Sequence, residues 1–350
     1  MKCVSLFSGC GGLDLGLRQA GFDIAFATDN NALCAASHAV NFPNAPFLEA
    51  SIGDLDEARL ADIAANGPFD LLAGGPPCPP YSKSRFYRSE KPRALDDPVG
   101  DETLNGYLRA LRVLRPRAFL LENVAGFAYS VHRSALDLLL RTATDLGYSC
   151  THGRVNAADF GVPQIRERYF VLGSCEGAIP FPEPTHSKVT DGALPLHDLL
   201  PWRTAGDVLR DLDTEENAND RGHFAGGQYH DLLCQIPPGE NYLYFTAKRG
   251  HPEPRFEWRK RYWSFLLKLS PDLPAWTIQA RRSNNMGPFH WRNRILRVDE
   301  IKRLQTFPDD WYLAGRVEDQ WRQIGNAVPP QLAMMMGEAI KDHLAQARAA

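Results

Sequence analysis

Short apolar runs alternate with helical patterns through the first half of the chain. Residues 4–7 form one run, 24–28 a second that ends at Asp29, and 69–73 a third that ends in Gly74-Gly75-Pro76-Pro77. Residues 118–121 form a fourth that runs into Glu122, and 169–172 a late one. Between them lie helical stretches. Residues 13–20 are closed by Gly21; Leu104, Tyr107, Leu108 and Leu111 recur at i, i+3, i+4, i+7 before Pro116; Ala135, Leu138, Leu139 and Thr142 precede Gly147. Strands alternating with helices predict an α/β fold, a doubly wound, mostly parallel sheet with helices on both faces.

The pattern breaks at Pro180, Pro182 and Pro184, which read as an extended linker. From there to about residue 269 the chain is irregular and rich in Gly, Pro, Asn and aromatic residues, which predicts a second, smaller, loop-rich domain. Order returns after Gly325, where Pro329-Pro330 start a helix with Leu332, Met335, Met336 and Ile340 on its apolar face. The expected organisation is a first domain over 1–184, a second over 185–317, and a C-terminal helix over 318–350 that returns to the first domain. A length of 350 residues suits one large domain or two ordinary ones.

Composition adds mainly exclusions. Hydrophobic residues at 44% and charged residues at 23% make a globular balance. No run approaches the ~20 apolar residues of a membrane span, and the first apolar segment is too short for a signal peptide, so the cytoplasm is the expected compartment and no membrane partner is expected. Seven cysteines, an odd number with no closely spaced pair, argue against a disulfide framework or a zinc site and leave free thiols. The net charge of −3 does not suggest a polyanion partner, but its distribution does. Residues 249–303 hold thirteen Lys/Arg against five Asp/Glu, and residues 83–93 hold five basic residues against one acid.

Five short segments carry candidate chemistry. Phe7-Ser8-Gly9-Cys10-Gly11-Gly12 joins a strand to a helix, where glycines let the backbone approach a ligand, and Asp29 follows at the spacing of a ribose-binding acid. Asp14 occupies the third glycine position of a dinucleotide fingerprint, which argues against a dehydrogenase. Pro76-Pro77-Cys78 presents a thiol at a strand's C-terminal end, and the cations that follow it would favour a thiolate. Glu122-Asn123-Val124 offers an acid at a neighbouring strand end. Gln164-Ile165-Arg166-Glu167-Arg168 offers two arginines for a phosphate or a base edge. Gln323 to Pro330 reads as a turn and helix start.

In this order and spacing, with Arg297 to Pro308 in support, the segments resemble the DNA (cytosine-5) methyltransferase family of bacterial restriction–modification type. The resemblance spans the chain, and it implies that 1–184 is the catalytic and cofactor-binding domain and 185–317 the target-recognition domain with its hinge. It implies a transferase acting on a cytosine in duplex DNA with S-adenosylmethionine as methyl donor and S-adenosylhomocysteine as product. It implies that Cys78 attacks C6, that Glu122 acts at N3, and that Arg166 and Arg168 hold the flipped base. The cofactor residues it implies are Phe7, Gly9, Gly11, Gly12, Asp29, Asn30, Ser51, Ile52, Pro76, Asn326 and Val328. No metal is implied, and a monomer is expected. Two departures stand out. Pro79 follows the cysteine where the family usually has glutamine, and Ser51 stands where the family usually has an aspartate for the adenine amino group, with Asp54 as the alternative.

The segment from Pro79 to Arg93 is expected to be a loop that closes over the flipped base, with Lys83, Arg85 and Arg88 on DNA phosphates. Two rival readings keep the fold. One methylates cytosine in transfer RNA; the long segment after Pro184 favours duplex DNA instead. The other is a non-catalytic DNA-binding module, against which the intact Cys78, Glu122, Arg166 and Arg168 argue.

Overall fold

The computed structural model describes residues 1–81, 92–188, 199–213, 223–259 and 262–349. The strands are β1 (Lys2–Leu6), β2 (Asp23–Asp29), β3 (Phe47–Glu49), β4 (Leu71–Gly74), β5 (Ala118–Val124), β6 (Ser149–Asn156), β7 (Gln164–Ile165), β8 (Glu167–Ser174), β9 (His186–Ser187), β10 (Leu200–Pro201) and β11 (Ala275–Trp276). The α-helices are α1 (Gly12–Gln19), α2 (Ala32–Asn41), α3 (Glu57–Ala64), α4 (Pro98–Leu114), α5 (Arg133–Asp145), α6 (Gly206–Leu209), α7 (His230–Gln235), α8 (Val298–Leu304), α9 (Val317–Asn326) and α10 (Pro330–Ala349). No described helix is long and apolar enough to cross a membrane.

Seven strands form one sheet in the order β3-β2-β1-β4-β5-β8-β6. All neighbours are parallel except that β8 runs antiparallel to both β5 and β6. The sheet is therefore doubly wound and mostly parallel, as the alternation of elements predicts. The chain moves one way from β1 to β2 and β3, then returns to place β4 on the other side of β1. Ligands of such sheets sit outside the strands' C-terminal ends at this reversal, between β1 and β4.

Alternation along each strand sorts residues to the two faces. Cys3, Leu71, Ala73, Ala118, Leu120, Phe170 and Leu172 bury against α1 and α10. Val4, Leu6, Leu72, Phe119, Leu121 and Val171 bury against the side of α3, α4 and α5. The first cluster continues without a break through Leu209, Ala225, Leu233, Tyr242, Leu266 and Ile278, so the loop-rich segment shares a core with the sheet. The proline-rich stretch 180–184 has no regular structure.

Helix α1 meets α10 through glycine. A Cβ added at Gly16 would lie 2.3 Å from the Pro330 carbonyl oxygen, and one at Gly12 2.5 Å from that of Val328. The close-packing glycine that a dinucleotide fold places at residue 14 is thus supplied at 16, one helical turn on from Gly12. Asp14 itself is buried and organises a polar knot. It accepts from the Ser5 hydroxyl, its Oδ2 lies 3.0 Å from His38 Nε2, and the Ser8 hydroxyl donates to Ser5 Oγ at 3.0 Å. All four side chains are buried, so each depends on the others. Asp14→Ala leaves Ser5 and His38 without their acceptor and should destabilise the protein by about 1–3 kcal/mol. Urea unfolding should show a lower midpoint at an unchanged slope; an unchanged midpoint would contradict this role.

Candidate active site

One cavity of about 460 Å³ opens at the C-terminal ends of β1, β2, β4 and β5. It is lined by Phe7, Gly9, Gly12, Asp29, Asn30, Ser51, Ile52, Pro76, Cys78, Glu122, Arg168, Asn326 and Val328, which are the expected catalytic and cofactor residues with two exceptions. Gly11 does not line it. Its left-handed backbone (φ 87°) carries the chain past Phe42 and Trp311, and a Cβ there would lie 2.7 Å from the Phe42 ring. Arg166 does not line it either, although its charge acts on both Cys78 and Glu122. The side chain is fully buried and donates to the carbonyls of Ile278 (3.1 Å), Gly325 (2.8 Å) and Ala327 (2.9 Å). It thereby ties the start of α10 to the sheet and fixes Asn326 and Val328 at the cavity wall.

The glycine turn after β1 is held from below. Asp29 accepts from the Gly9 N–H (2.9 Å) through one oxygen and from the Asn31 N–H (3.0 Å) through the other. Phe7, at the end of β1, has φ 57°, a conformation that non-glycine residues rarely adopt and that clusters at functional sites. Residues 323–326 differ from the expected turn: they are the last turn of α9, and Ala327 is its C-cap.

Cys78, Glu122 and Arg168 meet because of strand direction. β8 runs antiparallel to β5, so its first residues reach the edge where β5 ends, and Arg168 pairs in register with Val124. Arg168 Nε lies 2.8 Å from Glu122 Oε1, both side chains being about nine-tenths buried. Asn123 donates to the Pro76 carbonyl at 3.2 Å and ties the Cys78 loop to β5. Burial pushes the Glu122 carboxyl above the usual carboxylate range, while Arg168 and Arg166 pull it back. Burial also pushes the Cys78 thiol up; Arg168 opposes this, Glu122 reinforces it, and Arg166 opposes it more weakly. The cations expected to favour a thiolate, which follow Cys78 in its loop, lie outside the described residues.

The loop after Cys78 begins in a buried anchor. Pro79–Tyr81 form one 3₁₀ turn, and Tyr81 packs edge-on against Phe127 at 4.9 Å between ring centroids. Lys83, Arg85 and Arg88 lie outside the described residues. In the basic stretch 249–303, Arg249, Arg255, Arg259, Arg282, Arg292, Arg294, Lys302 and Arg303 each face a carboxylate. The partners from outside the stretch, Glu240, Glu318, Asp213, Asp211 and Asp309, offset part of its local charge excess. Among the described residues no group of three His, Cys, Asp or Glu is placed to hold a metal.

Sequence reasoning missed the α4 wall of the cavity. Val99, Glu102 and Thr103 line it. The signal was Pro98 after Asp97, a first-turn proline behind a capping acid, which starts the helix six residues before the apolar repeat. Ser51 lines the cavity as expected, whereas Asp54 does not. The Asp54 carboxylate is spent on the Ser51 backbone N–H at 3.2 Å.

The thiol's environment makes a direct prediction. The rate of iodoacetamide alkylation of Cys78, followed by peptide mass spectrometry, should at pH 9 still be below half its high-pH plateau, because the thiol's pKa is raised from its ordinary 9.0. Arg168→Ala removes the main opposing cation and should slow alkylation at pH 8. A faster-reacting Cys78 in that variant would contradict the assignment.

Comparison with known proteins agrees with this geometry. The family described as C-5 cytosine-specific DNA methylase matches residues 1–342. The Type II methyltransferase M.SacI of Streptomyces achromogenes is 37% identical over 98% of this chain and 93% of its own length. The Type II methyltransferase M.PspPI of a Psychrobacter species is 32% identical over 96% of this chain and 78% of its own. The crystal structure of a triple mutant of Spodoptera frugiperda DNMT2 shares the fold at a TM-score of 0.66 and 17% identity, covering 97% of this chain and 99% of that one. The chain thus belongs to the C-5 cytosine-specific DNA methylase family and is a DNA (cytosine-5) methyltransferase of restriction–modification type.

Proposed function

We propose that the protein methylates C5 of a cytosine flipped out of a specific duplex sequence, through a transient bond between Cys78 Sγ and C6, with S-adenosylmethionine as donor. The observation that carries the proposal is the meeting of Cys78, Glu122 and Arg168 in a cavity that also holds a glycine turn and a strand-end acid.

The donor set suits S-adenosylmethionine. Asp29, already oriented by two backbone N–H groups, presents a carboxylate for the ribose hydroxyls. Phe7 supplies a ring for the adenine, and the Gly9–Gly12 turn with Asn326 and Val328 forms the wall for the methionine part. The volume lies within the range of small-molecule sites. Bound there, the cofactor supplies an electrophilic methyl group.

The residues of this chain do the rest. C6 of cytosine is electrophilic only when the ring is polarised. Glu122, raised in pKa by burial, can carry a proton to N3 while Cys78 Sγ, after giving up its own proton, bonds C6. The electron pair released toward C5 takes the methyl. The C5 proton then passes to solvent and its bonding pair expels Sγ, which recovers a proton from solvent, while N3 returns its proton to Glu122. Arg168 holds Glu122 in place and supplies positive charge beside both the thiolate and the base. Arg166 is a positioning residue that acts through the Gly325 and Ala327 carbonyls.

Residues 1–184 with 318–350 form the reaction centre in this reading, and 185–317 reads the duplex. Within the latter, Gln279, Arg281, Ser283 and Asn284 line a second, polar cavity suited to base edges and phosphates. An assay of methyl transfer to duplex DNA and to transfer RNA, with bisulfite sequencing of the product, tests the proposal. Transfer should be confined to DNA at one recurring sequence. Glu122→Gln should lower the rate by about 10²–10⁴-fold while S-adenosylhomocysteine still binds. Methylated RNA, or a Glu122→Gln variant at wild-type rate, would overturn it.

A further inference from the structure

The far wall of the cavity holds a polar pair that the reaction does not use. Neighbouring strands lie about 4.8 Å apart, and β3 is three positions from β4 in the sheet. The loop after β3 is therefore about 14 Å from the loop that carries Cys78. A cofactor with its ribose at Asp29, after β2, and its methyl group near Cys78 places its base toward the β3 end. There the cavity is closed by Ser51 and Ile52 from the loop and by Glu102 from the first turns of α4.

The two walls are locked together. Arg109 of α4 donates to the carbonyls of Leu55 (2.9 Å) and Ile52 (2.8 Å). Ile52 seats where a Cβ on Gly106 would lie 2.4 Å from it. Within that frame the Ser51 hydroxyl donates to Glu102 Oε1 at 2.9 Å. A Cβ on Gly53 would lie 2.6 Å from that same oxygen, so glycine leaves room for the carboxylate. The Ser51 proton is committed, which makes its oxygen an acceptor only. Beside it the Thr103 hydroxyl donates to the Val99 carbonyl, and the Asn31 side-chain oxygen caps α2. The Ser51–Glu102 pair thus presents acceptors, one of them a carboxylate, and matches a base edge that donates. In adenine that group is the exocyclic amine.

We infer that Glu102, oriented by Ser51, reads the 6-amino group of the cofactor's adenine and sets the base selectivity of the site. The inference rests on the cofactor reading above and adds a residue from a different element. Isothermal titration with S-adenosylhomocysteine and with its 6-deamino purine analogue tests it without turnover. Wild type should prefer the amino compound by roughly tenfold to a hundredfold, the range of a hydrogen bond to a charged group. Glu102→Ala should bring the ratio close to one, mainly by weakening the amino compound, and Ser51→Ala should lower it less. Ser51→Asp in the Glu102→Ala background should restore preference, because it returns a carboxylate to the same wall. A Glu102→Ala ratio equal to wild type, or equal weakening of both ligands, would overturn the inference while leaving the cofactor reading intact. Failure of wild type to bind S-adenosylhomocysteine at all would overturn both.

Discussion

A carboxylate buried at the edge of a sheet needs a cation, and one reversed strand supplies it. If β8 ran parallel to β5, Arg168 at its start would lie at the opposite end of the sheet from Glu122. Because it is antiparallel, the guanidinium reaches Glu122 at 2.8 Å. Buried pairs of this kind contribute little net stability, and removing one partner is costly. The value of this pair lies in chemistry. It keeps a carboxyl group whose pKa burial raises in fixed orientation beside a thiol whose pKa burial also raises.

The same corner closes the chain on itself. Arg166, two residues before Arg168, anchors the carbonyls of Ile278, Gly325 and Ala327. Gln164, two residues before that, donates to the Leu304 carbonyl and to Gln305. Three segments more than a hundred residues downstream are thus fastened to the residues that lead into β8 and Arg168. The Asn326 wall of the cavity therefore exists only in the folded whole.

The sequence made much of this readable. The strand ends that carry Asp29, Cys78 and Glu122 announce themselves because a strand's apolar run stops at a polar or glycine residue. What it hid is also physical. β6 is an edge strand with mostly half-exposed residues, so it lacks an apolar run. Arg166 and Arg168 have the same residue type and adjacent like-facing positions, yet one enters the core and the other the cavity. That choice is made by carbonyls far along the chain. Gly16 does the close packing expected of a third glycine one residue pair away from its usual place, because Asp14 is committed to Ser5 and His38. Glu102 has no local pattern at all; only the folding of α4 against the β3 loop brings it to Ser51.

The central claim is that Cys78 bonds the target base during transfer. The direct measurement uses duplex DNA with 5-fluorocytosine at the methylated position, incubated with the protein and S-adenosylmethionine. Fluorine cannot leave C5 as a proton does, so the bonded state should accumulate as a denaturation-resistant adduct. Peptide mass spectrometry should place it on Cys78, and Cys78→Ser should give none. An adduct on another residue, or a Cys78→Ser protein that methylates DNA at the wild-type rate, would contradict the account.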